Sequence, residues 1–207
     1  DDPRDREVIG LYAALLAWGR RSTILKKLAD LCERMRYEPY VFVRNFNASR
    51  DSACLEGFKH RTFQPIDTLW LTKNLHAALH RHGTVEALFA DHLPSDAQDV
   101  GPAIQGASET LMRIHPDTPS RLRKHLARPE AGSACKRLAM YLRWMVRPGP
   151  VDFGIWTRIR ADQLVLPLDV HSGRQARALG MVSRKSNDWK AVQELTTHCR
   201  LLCARDP

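Results

Sequence analysis

Apolar residues in this chain recur at three- and four-residue spacing almost from end to end, a pattern satisfied by helices that turn one face toward a common core. Ile9, Tyr12, Ala13, Leu16 and Ala17 form the first such stripe, and Gly19 is placed to stop it. Ser22 reads as the cap of a second helix with Ile24, Leu25, Leu28, Leu31, Cys32 and Met35 inward. Asp67 opens a third, through Leu69, Leu71, Leu75, Ala78 and Leu79 to a terminating Gly83. Thr84 starts a short fourth helix, and a polar loop from Pro94 to Pro102 precedes another that ends near Ile114. Val41-Phe42-Val43 is the one β-like triplet, too short to build a sheet. The pattern predicts an all-α fold. With 207 residues, 43% of them hydrophobic, the chain can bury its core as one domain or as two closely packed lobes.

Several classes are disfavoured. No apolar run is long enough to span a bilayer, and Asp1 to Glu7 is too acidic and polar for a signal peptide, so a soluble, cytoplasmic protein is expected. The first residue is not Met, so chain beyond both ends is expected. The five cysteines are scattered, with no Cys-x-x-Cys, and read as reduced thiols. His76 and His80, with His82 nearby, have helical spacing but no carboxylate or cysteine beside them, and His198 with Cys199 and Cys203 does not complete a tetrahedral set; no metal is expected.

Charge points toward a partner. From Arg113 to Arg147 there are nine Lys or Arg against two acids, which supplies seven of the nine net positive charges. A polyanion suits such a segment through phosphate neutralisation and counterion release. A solvated cationic face is the plain alternative.

The same segment carries the residues with chemical potential. Pro119 to Leu126 reads as a short helix, Arg128-Pro129-Glu130-Ala131-Gly132 as a tight connection and Ser133 as the cap of the next helix. That is a helix-hairpin-helix arrangement at about residues 119–147, whose turn amides and helix start can meet a phosphate, with Arg128, Gly132, Ser133 and Arg137 as the backbone contacts. Lys136 falls in the first helical turn beside Arg137, where the helix-start field and the neighbouring cation both disfavour an extra proton, as Schiff-base chemistry requires. An exposed lysine on a basic helix fits the same residues. Asp169, in Leu166-Pro167-Leu168-Asp169-Val170-His171, can cap a helix running through Ala176 and Leu179 to Gly180, and a carboxylate so held stays ionised and can face a developing cation. Trp18, Trp144, Trp156 and Phe153 could stack an extruded base, although core packing suits most of them. Trp18 and Arg20 are the selected base-pocket contacts.

Lys136 to Arg147, Val151 to Trp156, Pro167 to His171, and Ala13-Ala14-Leu15-Leu16-Ala17-Trp18-Gly19-Arg20-Arg21 closely resemble a bacterial family of unassigned function. That family looks like a divergent branch of the helix-hairpin-helix (HhH-GPD) DNA glycosylase superfamily. The resemblance spans nearly the whole chain and implies a single two-lobed helical unit over 1–207. In that superfamily a lysine near the hairpin and an aspartate opening a later helix act together; Lys136 and Asp169 match them, with His171 beside the aspartate and Trp144 on the lysine's helix as substrate contacts. Their spacing is most similar to the archaeal 8-oxoguanine glycosylases, which implies oxidised purine in double-stranded DNA, base release by Lys136 and strand cleavage through a Schiff base. The resemblance further implies a monomeric, nucleoid-associated repair enzyme. The hairpin departs from the usual Leu-Pro-Gly-Val-Gly pattern, retaining only Gly132, and Gly173 weakens its helix by roughly 1 kcal/mol relative to Ala. No four-cysteine tail is present, so neither an iron-sulfur cluster nor any other cofactor is expected. The alternative is a non-catalytic nucleic-acid-binding module of the same fold.

Overall fold

Asp2 starts the first helix by the usual capping physics: its carboxylate accepts the Arg4 amide at 2.8 Å while Pro3 occupies a position whose missing N–H costs nothing. The computed structural model describes residues 2–207, and its α-helices are α1 (Pro3–Leu16), α2 (Arg21–Arg34), α3 (Pro39–Arg44), α4 (Ala48–Leu55), α5 (Pro65–His82), α6 (Val85–Ala90), α7 (Gly101–Arg113), α8 (Lys136–Val146), α9 (Val170–Ala178) and α10 (Trp189–Leu202). Short 3-10 turns cover Ser120–Lys124, Pro129–Ala131 and Ala161–Gln163. Among the described residues there is no strand, only the isolated bridges His60 to Phe63 and Pro148 to Phe153. The fold is all-α. No described helix is long and apolar enough to cross a membrane.

The chain divides into two compact units. The first takes residues up to Leu88 and then Glu109–Leu126; the second takes Phe89–Ser108 and Ala127–Pro207. In the first, Val8, Leu11, Tyr12 and Leu15 of α1 are fully buried, and the Tyr12 hydroxyl pairs with Thr72 of α5 at 2.6 Å. Asp67 anchors this unit. Its fully buried carboxylate accepts the Gln64 amide at 2.8 Å, two guanidinium N–H bonds of Arg121 at 2.8 and 2.9 Å, and faces His125 Nε2 at 3.3 Å. In the second, Phe89, Tyr141 and Trp156 form an aromatic cluster with centroids 5.3 to 5.7 Å apart, joined in the core by Leu138, Leu142 and Met145 of α8.

Several boundaries differ from expectation for physical reasons. The second helix starts at Arg21, so Arg20 and not Ser22 is its N-cap residue. The helix expected from Asp67 begins two residues earlier at Pro65, and Asp67 is the reciprocal member of a capping box with Gln64. Val41-Phe42-Val43 lies inside α3, where Pro39 opens a helical turn. Gly83 at φ 86°, Thr84 accepting the Ala87 amide at 3.0 Å, and α7 ending at Arg113 follow the sequence reading. The segment read as helix-hairpin-helix is thinner than expected. Ser120–Lys124 is a five-residue 3-10 turn within the first unit, whereas Pro129–Ala131 and α8 belong to the second. Ser133 is not the cap of α8: the helix begins at Lys136 after Cys135, which adopts a left-handed conformation at φ 48°. The Ser133 hydroxyl instead accepts the Cys135 amide at 3.1 Å.

Candidate functional site

Two helix starts of the second unit meet at the candidate site. Lys136 is the first residue of α8, and Asp169 is the N-cap of α9. Extended backbone delivers Asp169. Trp156 donates its amide to the Met145 carbonyl at the end of α8, Thr196 of α10 accepts the Leu166 amide at 3.2 Å, and Leu164, Val165 and Leu168 are buried. Pro167 keeps the preceding residue extended, and α9 begins two residues after Leu168.

The two oxygens of Asp169 have separate tasks. Oδ1 accepts the His171 and Ser172 amides, each at 2.8 Å, and the Ser172 hydroxyl at 3.1 Å, while that hydroxyl accepts the Asp169 amide at 2.9 Å. Oδ2 is 2.7 Å from the Lys136 ammonium nitrogen. The Lys136 bond first, then the Ser172 amide, hold the Asp169 carboxyl well below the usual carboxylate range. Both side chains remain open to solvent, at 41% exposure for Lys136 and 32% for Asp169. The capping expectation for Asp169 therefore holds together with the lysine contact. The amine's electrostatic surroundings include a carboxylate partner as well as the helix start and Arg137.

Asn187 fixes the carboxylate's backbone, and nothing in the local sequence pattern signals it. Its Nδ2 donates to the Asp169 carbonyl at 3.0 Å, and its Oδ1 accepts from Arg177 at 2.7 Å. Gly173 is explained by the same contact: a Cβ there would lie 2.6 Å from Asn187 Oδ1 and 2.9 Å from the Arg177 guanidinium. The helix-weakening glycine thus makes room for the side chain that holds Asp169.

The remaining candidates occupy varied settings. His171 is exposed, and Trp144 is half-buried, with its carbonyl accepting the Phe153 amide at 2.7 Å. Trp156 belongs to the core, while Phe153 is about half exposed at 49%. Arg137 is half-buried, and burial pushes its guanidinium below its ordinary value. Arg128 precedes the 3-10 turn and Gly132 ends it at φ 75°. Trp18 and Arg20 lie in the first unit; Arg61 stacks over the Trp18 ring at 5.0 Å, and Arg20 is exposed. His76 and His80 face backbone carbonyls of Val43 and Arg44 at 3.0 and 3.1 Å. Cys135 is buried, its thiol pushed up to about 12, which suits packing and not nucleophilic attack. A cavity of the second unit, about 1080 Å³, includes Asp99, Glu130, Asp188 and Trp189 in its lining but neither Lys136 nor Asp169.

The basic segment is largely compensated from elsewhere in the chain. Arg113 and Arg123 pair with Glu109, Arg121 with Asp67, Lys136 with Asp169, Arg143 with Asp152, and Arg147 with Asp152 and Asp206. At least six of the nine cations counted along the segment therefore have carboxylate partners among the described residues, which a local charge count cannot register.

Together these features define an all-helical protein with a lysine–aspartate pair set at two helix starts. The chain belongs to the family described as protein of unknown function (DUF2400), whose profile matches residues 1–207. No curated protein and no solved structure matches it.

Proposed function

We propose that this protein is a DNA base-excision glycosylase of the HhH-GPD type, with AP-lyase capability toward oxidised purine. The observation that carries the reading is the Lys136–Asp169 contact: 33 positions apart in sequence, the amine and carboxylate lie at 2.7 Å with both groups still accessible. The motif resemblance of these two positions and of the surrounding helices supplies the reaction class.

In this mechanism Lys136 attacks as the neutral amine, its proton released to solvent, while Asp169 stays ionised and faces the developing cation. The amine lone pair forms a bond to the anomeric carbon of an extruded nucleotide as the bond to the base breaks. The base leaves with that electron pair and takes a proton. Opening of the sugar ring, with a proton lost from nitrogen and one gained by the ring oxygen, leaves a Schiff base from which the 3′ phosphate can be eliminated. Asp169 suits the cationic stage because Oδ1 is fixed by the α9 amides, which keeps Oδ2 in place without reorganisation. His171 and Trp144 are the proposed substrate contacts within the same unit, and double-stranded DNA is the proposed partner of a monomer.

Incubation with duplexes carrying oxidised purines, under borohydride, is expected to give a covalent protein–DNA adduct that is lost in Lys136→Gln. Absence of an adduct on every damaged duplex, with duplex binding retained, would favour a non-catalytic binding module. The glycine-poor connection, which keeps only Gly132 where phosphate approach would use more, is the observation on that module's side.

A further inference from the structure

The second unit carries a cationic recess that adjoins the lysine–aspartate pair. It is an open cavity of about 480 Å³ lined by Val170, Arg174, Arg177, Lys185 and Asn187. Three of these five residues are cations and none is an acid. That composition contrasts with the basic segment, where carboxylates from elsewhere answer most of the charge. It also contrasts with Arg184, which pairs with Asp188 at 2.5 Å one residue before Lys185.

The cations divide into two kinds. Arg177 is already engaged, donating to the Arg184 carbonyl at 2.6 Å and to Asn187 at 2.7 Å. Arg174 and Lys185 are exposed and form no ion pair among the described residues. Like charges gathered around a recess without an acid repel one another, and an anion between them relieves that repulsion. A guanidinium fork beside a mobile ammonium suits a tetrahedral oxyanion, which offers several acceptor oxygens at once.

The recess is also built into the reactive site. Val170, in its wall, directly follows Asp169. Asn187 donates to the Asp169 carbonyl at 3.0 Å and presents its other face to Arg177. An anion held here therefore lies next to the residues that fix the carboxylate.

We infer that this recess binds a backbone phosphate of a nucleic-acid strand, close to the nucleotide presented to Lys136. Arg174 and Lys185 contact the phosphate oxygens, while Arg177 and Asn187 are positioning residues. The placement of the nucleotide rests on the proposed function above; the anion chemistry of the recess does not.

The test uses the full chain and the double variant Arg174→Ala/Lys185→Ala. Both side chains are exposed, so its urea midpoint should match the wild type. Fluorescence anisotropy across a KCl series would measure binding to a duplex carrying a tetrahydrofuran abasic analogue. The double variant should bind roughly tenfold more weakly or worse, with a log affinity against log salt slope smaller by about 1. Methylphosphonates within two nucleotides of the abasic position should abolish the difference between variant and wild type. Unchanged affinity, or an equal loss on both duplexes, overturns the inference, since long-range charge alone gives the second result. Inorganic phosphate that stabilises the wild type and not the variant, with duplex binding unchanged, overturns the strand as the source of the anion. Borohydride trapping separates this inference from the enzymatic reading. Phosphate coupling without any adduct keeps the recess and removes the glycosylase; an adduct without coupling does the reverse.

Discussion

Replacing Asp169 by Asn and by Ala separates its two tasks, because each oxygen has its own partners. The asparagine substitution keeps an acceptor for the His171 and Ser172 amides but removes the charge facing Lys136. The alanine substitution removes both. A helix N-cap contributes about 1 kcal/mol, and an ion pair whose members are 41% and 32% exposed is screened by solvent, leaving about 0.5 kcal/mol. Asp169→Asn should therefore cost about 0.5 kcal/mol and Asp169→Ala about 1.5 kcal/mol, read by urea denaturation at neutral pH. The pH dependence has a definite sign. The folded carboxyl is held below its unfolded value, so its contribution is complete above the unfolded value of about 3.9 and is lost as pH falls through the folded value. The gap between wild type and Asp169→Asn should accordingly narrow below about pH 4. Borohydride adduct formation should fall strongly in both variants, although one keeps the cap. Equal destabilisation by the two substitutions would refute the division of labour between the oxygens, and full adduct yield in Asp169→Asn would remove the carboxylate's chemical role.

Three further outcomes follow from the packing. Gly173→Ala, which in an open helix would gain about 1 kcal/mol, should gain little here and should slow adduct formation, because its methyl displaces Asn187; a full gain in urea stability with unchanged trapping would contradict the proposed support of Asp169. Asp67→Ala should cost about 3 kcal/mol in denaturation, since it strands Arg121 and His125 beside a lost buried carboxylate; a loss below about 1 kcal/mol would show that Asp67 does not anchor the first unit. Cys203, which is exposed, should react with a disulfide reagent in the folded protein while Cys135 reacts only on unfolding, its thiol being buried and pushed up to about 12; prompt labelling of Cys135 mapped by mass spectrometry would overturn its assignment as packing.

What the sequence discloses and what it hides divide along a physical line. Features set by neighbours along the chain are legible in it: Gly83 closing α5, Thr84 opening α6, Asp169 capping α9, and the helical character of nearly every segment. Features set through space are not. Ser133 has the residue type and place of a cap, yet the backbone enters α8 only after the left-handed Cys135. The basic segment reads as unneutralised because Asp67, Glu109, Asp152, Asp169 and Asp206 all lie outside it in sequence. Asn187 has no local signature, since its importance comes from a carbonyl 18 residues away. Gly173, taken alone, reads only as a weak point in a helix; the side chain it admits gives the reason.

The central claim is that the amine of Lys136 is the group that bonds to sugar carbon, and its most direct test is the location of the trapped bond. Borohydride-reduced adduct on a duplex with an oxidised purine, digested and sequenced by mass spectrometry, should carry the sugar remnant on Lys136. A remnant on another lysine, or an adduct that persists undiminished in Lys136→Gln, would contradict the account.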